Sequence, residues 1–439
     1  MAAAVANESC DPFTSRELPC EPGISVTYSV NATDASDFAK AVAFAHERNI
    51  RLVIRNTGHE LGAGIQVEEA YVAANAYKSL VVGGDCDTVG VAGGYLQGGG
   101  HSALSSLYGM AADHVLEWEV VDGTGRLLQA TPQKNQDLYW ALSGGGGGTY
   151  GVVSSVVVKL HPDTVMTGVQ LEFDIDPKRP AAFYGAVSRY HELISSITAA
   201  KGMGIASVTN SAFALTPLTL PNASRRDAER LLAPLITELK NNRVPYSLNI
   251  TEHPNWLEHW RALIKPNPTQ LVQNAQYGGW MVPRSILKSN NAALQSAIRN
   301  ITDAGCVFVG LAVDVSRAEG AVPNSVLPAW RDAAINVILS TAWPEGADLG
   351  AMDKLANIMT QTCVPALTKL APDSGAYLNE ADPNQPNWQK ALYGINYNRL
   401  LAIKNKYDPR HVFYATTAVG SEYHTTDDEG RLCVAPERT

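Results

Sequence analysis

The sequence predicts an α+β fold in more than one part, and three changes of texture along the chain predict it. Up to about Pro162, short helical and strand-like patterns alternate around two dense glycine clusters. From Asp163 the glycines thin out, longer amphipathic helical patterns appear, and strand-like runs lie between them, which reads as a sheet with helices on one face. Near Tyr377 the texture turns again, to clustered polar and aromatic residues ahead of a closing helix. At 439 residues the chain is long enough for two or three domains with a large core. Its 45% apolar and 18% charged content is that of an ordinary globular protein. A net charge of −9 with no block of like charges argues against nucleic acid or an anionic membrane as partner. No apolar run approaches the roughly 20 residues that span a bilayer.

Asn31 to Asn49 carries the first helical pattern: Asp34 or Ser36 can cap it, and Phe38, Ala41, Val42 and Ala45 repeat at helical spacing. A short strand, Ile50 to Ile54, runs into the polar turn Arg55-Asn56-Thr57-Gly58-His59-Glu60, and turns just past strand ends often bind ligands. A solvated turn histidine is the plainer reading of His59. A helix over Gly64 to Lys78 and a strand over Leu80 to Val82 lead into the glycine region. Val115 to Val121 and Leu127 to Ala130 form a hairpin around Asp122-Gly123-Thr124-Gly125. Asn135 caps a helix that Gly144 ends. Further on, the spacing predicts a helix over Arg225 to Asn241, strands over Tyr246 to Thr251 and Cys306 to Val313, and a helix over Gln389 to Lys406 stopped by Asp408-Pro409.

The centre of this organisation is the stretch from Gly83 to Val121, which holds Gly90, Gly93, Gly94, Gly98, Gly99 and Gly100, with Cys86 near its start and His101 after the last glycine. A second run, Gly144 to Gly148, lies downstream. Glycines this dense bare the backbone N–H groups, which can cradle a phosphate or lie against a flat ring. Tight turns between strands are the alternative, but two clusters separated by a strand-like run favour a large anionic cofactor. Gly146, Gly148 and Gly151 match G-x-G-x-x-G, yet the match follows a helix and opens the β-branched run Val152 to Leu160. A dinucleotide fingerprint needs the reverse order, strand before and helix after, so a nicotinamide fold is rejected.

Six cysteines show no metal-like spacing, and Cys10 and Cys20 flank a loop they could close. Five N-x-[ST] sequons, at Asn7, Asn31, Asn222, Asn249 and Asn300, together with the cysteines point to a secreted glycoprotein whose signal is absent from this chain. A cytosolic protein with free thiols is the alternative.

Four motifs in order, RNTGHE, the G-x-C-x-T-V-G of Gly84 to Gly90, ALSGGGGGTYGVV and YLNEAD…W…YGINYNRL…KYDP, resemble the berberine bridge enzyme-like flavoproteins of the vanillyl-alcohol-oxidase superfamily, and the fungal FAD-linked oxidoreductases in particular. The likeness runs over nearly the whole chain. It implies a two-part FAD-binding domain (PCMH-type), residues 1–162 completed by 377–439, with a substrate domain inserted at 163–376. It implies FAD as cofactor, bound by Arg55, Asn56, Thr57, Gly58, His59, Cys86, Thr88, Val89, Gly90, Gly93, Gly94, Gly98, Gly148, Gly151, Val153 and Asn396. His59 and Cys86 stand where relatives attach the flavin covalently, at the 8α-methyl and at C6, and imidazole and thiolate are both nucleophiles suited to that. A buried core thiol is the plainer reading of Cys86.

The same resemblance puts Glu380 at a position where carbohydrate-oxidising relatives carry a tyrosine base, with Tyr377 lining the substrate side. A carboxylate desolvated in a flavin pocket suits general-base work; a solvated loop glutamate is the alternative. Val89 matches a position where valine leaves room for oxygen. The implied activity is oxidation of a small alcohol-like, carbohydrate-like or secondary-metabolite substrate, with O2 as acceptor and H2O2 as product; a dehydrogenase with another acceptor is a second outcome. Two departures from the family pattern bear on this. Asp87 replaces the usual proline, and a carboxylate beside the thiol disfavours the thiolate. Only Glu60 separates His59 from Leu61-Gly62-Ala63-Gly64, where relatives have several tens of intervening residues. Loss of a core strand there leaves backbone groups unpaired, so a third outcome is a non-catalytic or mis-spliced remnant unable to hold FAD.

Overall fold

The computed structural model describes residues 30, 32, 34–48, 50, 64–266, 274–316, 322–427 and 432–435. The predicted strand Ile50 to Ile54, the turn Arg55 to His59, the junction that follows it, and Cys10 and Cys20 lie outside or at the edge of those residues. The chain opens with α1 (Ala35–Arg48), α2 (Val67–Ala76), β1 (Ser79–Leu80) and α3 (Ser105–Tyr108). It continues through β2 (Val115–Asp122), β3 (Leu127–Ala130), α4 (Gln136–Leu142), β4 (Gly151–Val158) and β5 (His161–Pro162). Next come β6 (Met166–Asp174), α5 (Pro180–Ala199), β7 (Met203–Val208), β8 (Ala212–Pro221), α6 (Arg225–Asn241), β9 (Tyr246–His253) and α7 (Trp256–His259). The rest is β10 (Ala275–Pro283), α8 (Arg284–Ser289), α9 (Asn291–Asp303), β11 (Val307–Ala312), β12 (Ala333–Ala342), α10 (Leu349–Ile358), α11 (Val364–Thr368), α12 (Trp388–Tyr393), α13 (Tyr397–Tyr407), β13 (His424–Thr426) and β14 (Leu432–Val434).

Local chemistry sets several of these boundaries. Asp34 caps α1 by accepting from the Asp37 N–H at 3.0 Å, as its position predicts. Ser224 and Asp227 form a reciprocal capping box at the start of α6, whose apolar face buries Ala228, Leu232, Leu235 and Leu239. In the β2–β3 hairpin the buried Asp122 carboxylate accepts from the N–H groups of Thr124 and Arg126 and pairs with the Arg126 guanidinium at 2.7 Å. These bonds close the turn while Gly125 takes a φ of +82°. The helix predicted over Gln389 to Lys406 is instead two: Gly394, at φ +57°, ends α12, and a short 3₁₀ turn leads into α13. The apolar spacing continues across the break, so periodicity alone does not reveal it.

The strands form two main sheets. β3–β2–β4 is a three-stranded antiparallel sheet beside the glycine clusters. A seven-stranded antiparallel sheet runs β10-β12-β11-β7-β8-β6-β9. Helices α5, α6 and α9 pack together on one of its faces. At the β6–β9 end the other face meets Trp256–Ile264, where a Cβ on Gly168 would lie 2.0 Å from Leu263 and 2.9 Å from His259. The backbone approach there requires glycine. A disulfide joins Cys306, before β11, to Cys363, before α11. Among the described residues no helix is long and apolar enough to cross a membrane.

The last part of the chain returns to the first. Buried Lys404 donates to the carbonyls of Thr149 and Phe413, each at 2.8 Å, and pairs with Asp408 at 2.5 Å. Asp408 in turn accepts from the N–H groups of Val412 and Phe413. The Gly123 N–H donates to the Tyr407 carbonyl at 2.8 Å. These contacts fix α13 and the segment after it against the three-stranded sheet.

Candidate active site

The two glycine clusters meet. Gly93 and Gly94 sit on a π-helical turn, Val91–Tyr95, and Gly146–Gly148 form the loop between α4 and β4. A Cβ on Gly147 would lie 2.9 Å from the Gly94 Cα, so the two backbones are in direct contact. Together with Gly151, Val153, Asn379 and Tyr414–Ala418 they wall a cavity of about 310 Å³. Gly148 has a φ of +66°, and no atom lies within 4 Å of its side-chain direction. Bare backbone, positive φ and open space at one wall are the features of a cradle that a Cβ would fill.

The loop Tyr377–Asp382 closes one end of this cavity. Asn379 donates to the Gly94 carbonyl at 2.9 Å and to the Tyr377 hydroxyl at 2.7 Å. Gly98 makes room for it, since a Cβ there would come within 2.5 Å of the Asn379 Nδ2. Asp382 holds the far end of the loop by accepting from Gln276 at 2.9 Å and from Thr360 at 2.5 Å.

Next to the cavity wall lies a polar cluster. His101 Nε2 faces Glu380 Oε1 at 2.6 Å, and Asn336 of β12 donates to Glu380 Oε2 at 2.9 Å. The His101 ring packs against Tyr377 and Trp330, with centroids 5.3 and 6.0 Å away, and those two rings also meet each other at 5.4 Å. Burial pulls the His101 pKa down, but Glu380 and then Asp85 outweigh burial and hold it above its ordinary value. Burial pushes Asp85 up to about 6, against the pull of His101 and with Glu380 adding to it. Burial, then Glu380, raise the Tyr377 phenol far above its ordinary value, so it stays protonated. Asp85 Oδ1 and His101 Nδ1 are buried with no hydrogen-bond partner. Orphaned buried polar atoms call for a partner, and a bound ligand or an ordered water can supply one.

The cysteine loop is clamped from the seven-stranded-sheet side. Trp260 Nε1 donates to the Asp85 carbonyl at 3.1 Å. Lys265 pairs with Glu68 at 2.5 Å and with Asp87 at 3.4 Å. The extra carboxylate beside Cys86 therefore faces an ammonium group, and Cys86 itself is half-buried with its Sγ 3.6 Å from the Thr88 hydroxyl.

Of the residues singled out in the sequence, Gly93, Gly94, Gly148, Gly151 and Val153 line the cavity. Tyr377 and Glu380 lie in the adjoining cluster, and Gly98 seats Asn379. Cys86, Thr88, Val89 and Gly90 share the clamped loop; the Val89 carbonyl accepts from the Val67 N–H, and Gly90 bridges to Gln66. Asn396 is turned to the carbonyls of Ser325 and Val326, away from the cavity. Arg55, Asn56, Thr57, Gly58 and His59 fall outside the described residues. His101, Asp85 and Asn336 were not anticipated as site residues. Asn336 carries a signal in retrospect: it is the one polar residue in the apolar run Ala333–Leu339, and it is buried.

Residues 60–131 match the family described as "FAD binding domain", and residues 376–420 match "Berberine and berberine like". The FAD-linked oxidoreductase patO of Aspergillus clavatus is 52% identical over 471 aligned positions, which take in 99% of this chain and 82% of that protein. Those 471 positions exceed the 439 residues present, so at least 32 positions of that alignment have no counterpart here. The crystal structure of the VAO-type flavoprotein MtVAO615 from Myceliophthora thermophila C1 superposes with a TM-score of 0.89 at 36% identity, covering 97% of this chain and 85% of that one. Glucooligosaccharide oxidase from Acremonium strictum, a protein with a 6-S-cysteinyl, 8α-N1-histidyl FAD, shares the fold at a TM-score of 0.69 and 17% identity, covering 89% and 90% of the two chains.

Proposed function

The chain belongs to the berberine bridge enzyme-like FAD-linked oxidoreductases of the vanillyl-alcohol-oxidase type, and on that premise we propose that it is an oxidase of a small hydroxyl-bearing metabolite, with O2 as acceptor and H2O2 as product. Its cofactor is FAD, which supplies a two-electron acceptor for hydride when bound. The observation that carries the proposal is the junction of two environments: a glycine-walled cavity of bare backbone, and beside it a largely buried cluster of Glu380, His101, Asn336 and Tyr377. The first fits a cofactor that must lie flat against the chain, and the second fits a hydroxyl that must lose a proton.

In this reading residues 1–162 and 377–439 hold the cofactor, and 163–376 shape the substrate side. Asn336 on β12 is the contribution of the large sheet to the cluster. Tyr377 faces the reacting carbon as a hydroxyl donor, and Glu380 is the carboxylate of the acid–base unit beside it. Cys86 and His59 attach the flavin. Support for the cysteine link is the pairing of Asp87 with Lys265, which offsets the negative charge beside the thiol. Val89, held in the same loop, leaves space for oxygen. The Cys306–Cys363 disulfide and the exposed sequons at Asn222, Asn249 and Asn300 fit a secreted glycoprotein.

The alignment length favours one second reading, a chain that keeps the fold but has lost part of its FAD contacts. The absorbance spectrum of the purified chain separates the two, since only the first is yellow. Acid precipitation then gives a coloured pellet if the link is covalent, and His59→Ala and Cys86→Ala assign it. Val89→Leu should slow reoxidation in air while reduction by substrate is unchanged. A stopped-flow trace with equal reoxidation rates in Val89→Leu and parent would remove Val89 from the oxygen path, and a reduced flavin indifferent to O2 would make the enzyme a dehydrogenase.

A further inference from the structure

Both carboxylate oxygens of Glu380 are engaged, Oε1 with His101 Nε2 and Oε2 with the Asn336 amide. An ionised carboxylate can only accept, so the ring nitrogen facing it carries the hydrogen. The neutral imidazole is thereby fixed as the Nε2–H tautomer, with its lone pair on Nδ1. That Nδ1 is buried and has no donor or acceptor of the protein in reach. The ring cannot turn freely: it packs in a three-ring cluster with Tyr377 and Trp330, its Nε2 is held by Glu380, and Tyr95 donates to the His101 carbonyl at 2.8 Å. A carboxylate that holds one ring nitrogen, leaving the other for chemistry, is the arrangement of a carboxylate-oriented general base.

From this geometry we propose that His101 Nδ1 accepts the proton of the substrate hydroxyl, and that Glu380 is a positioning residue that fixes the imidazole and balances its charge. The proposal rests on the hydroxyl-oxidising reading above and assigns the proton within it. In the step the substrate O–H bond breaks and its proton binds Nδ1. The electron pair left on oxygen becomes the second C–O bond as hydride leaves the carbon for the two-electron acceptor already named. His101 ends as an imidazolium donating from both nitrogens, Nε2–H to Glu380. The substrate is an alcohol or hemiacetal, a compound with a hydroxyl on the carbon to be oxidised.

The titratable groups around the ring are Glu380, Asp85, Tyr377 and Tyr95. Burial keeps both phenols protonated, so the two carboxylates supply the charge that acts on His101. Below its pKa the imidazole already carries a proton on Nδ1 and cannot accept another. Turnover must therefore fall as pH drops through that value.

Two measurements on the purified chain decide the assignment. One is a ¹⁵N-histidine NMR titration, with the His101 signals identified by their loss in His101→Gln. The expected spectrum shows Nδ1 as the unprotonated nitrogen of the neutral ring and a pKa above that of an ordinary histidine, lowered in Glu380→Gln. The other is anaerobic flavin reduction against pH. The acid limb of the parent should coincide with the NMR titration, persist at lower pH in Glu380→Gln, and vanish in His101→Gln with reduction about 10²–10⁴-fold slower. A neutral ring protonated at Nδ1 would overturn the proposal. So would an acid limb that survives in His101→Gln and disappears in Glu380→Gln, which would return the base to Glu380. If no alcohol reduces the flavin of the parent, the oxidase reading fails instead, while the NMR tautomer still upholds or overturns the free nitrogen.

Discussion

Two acid–base pairs among the described residues, one fully buried and one part-buried, are built on opposite plans. Lys404 and Asp408 are 1% and 0% exposed, and each donor of the ammonium has an acceptor: the Asp408 carboxylate and the carbonyls of Thr149 and Phe413. His101 and Glu380 are 12% and 22% exposed, and the cluster around them leaves His101 Nδ1 and Asp85 Oδ1 without partners. A saturated pair can only hold structure together, because any change at it breaks a bond. An unsaturated pair keeps capacity for a ligand, and that reserve costs stability. Degree of saturation therefore separates a structural ion pair from a working one more sharply than burial does.

The strongest challenge to this contrast is Lys404→Met. It strands Asp408 as an uncompensated buried charge and should lower the unfolding free energy by about 3–5 kcal/mol, read from denaturant curves. Replacing both partners, Lys404→Met with Asp408→Leu, should recover part of that loss. A single mutant within error of the parent would mean that saturation has no structural meaning here. At the cavity, Gly148→Val places a β-branched residue at φ +66° and fills open space, so the flavin-to-protein ratio should fall to near zero with the fold retained by circular dichroism. Full flavin content would make this glycine a turn residue only.

His101→Gln sharpens the contrast from the other side. Glu380 is part-exposed and keeps its Asn336 bond, so the change in unfolding free energy should stay within about 1 kcal/mol. A loss as large as that of Lys404→Met would show the two pairs to be alike. The smallest effect is on pH dependence, where the histidines act with opposite sign. Burial holds His191 down at about 4, and burial followed by His253 holds His259 at about 3. In the unfolded chain both take up a proton near 6.5, so the stability they contribute is present above that pH and is lost as pH falls toward their folded values. His101 is raised in the fold, so its contribution is full below about 6.5 and is lost as pH rises through its folded value. Urea unfolding at pH 5 and 7 should show the acid loss, which His191→Gln should reduce, and unfolding at pH 7 and 9 should show the opposing slope, which His101→Gln should remove. Identical pH profiles in all three proteins would contradict these assignments.

Elements whose signals are local were legible from the sequence. The bounds of α6, Arg225–Asn241, follow from apolar residues at helical spacing, and the β2–β3 hairpin from Asp122-Gly123-Thr124-Gly125. The rejection of a dinucleotide fingerprint at Gly146 holds because Gly151 opens β4 and no helix follows. What was not legible depends on distant partners. The order β10-β12-β11-β7-β8-β6-β9 is a matter of pairing between separated strands. The Cys306–Cys363 bridge spans 57 residues. His101 reads in sequence as a polar residue after three glycines, and only the return of Glu380 and the placement of Asn336 on β12 turn it into a cluster. Glu380 was singled out by its motif, while its engagement on both oxygens could not be read from sequence.

The bond from Asn379 to the Gly94 carbonyl joins residues 285 positions apart, and the His101–Glu380 contact spans 279. At about 5–20 residues per second of synthesis, roughly 15–60 s separate the appearance of the two halves of the site. For that interval the nascent chain can build its large sheet but has no closed cavity to offer a cofactor. Flavin capture would then wait for the end of translation, and a polypeptide interrupted between Ala342 and Tyr377 would carry every strand of the large sheet but no closed cavity, and should not turn yellow. Colour in a newly made sample would report completion of the chain as well as folding.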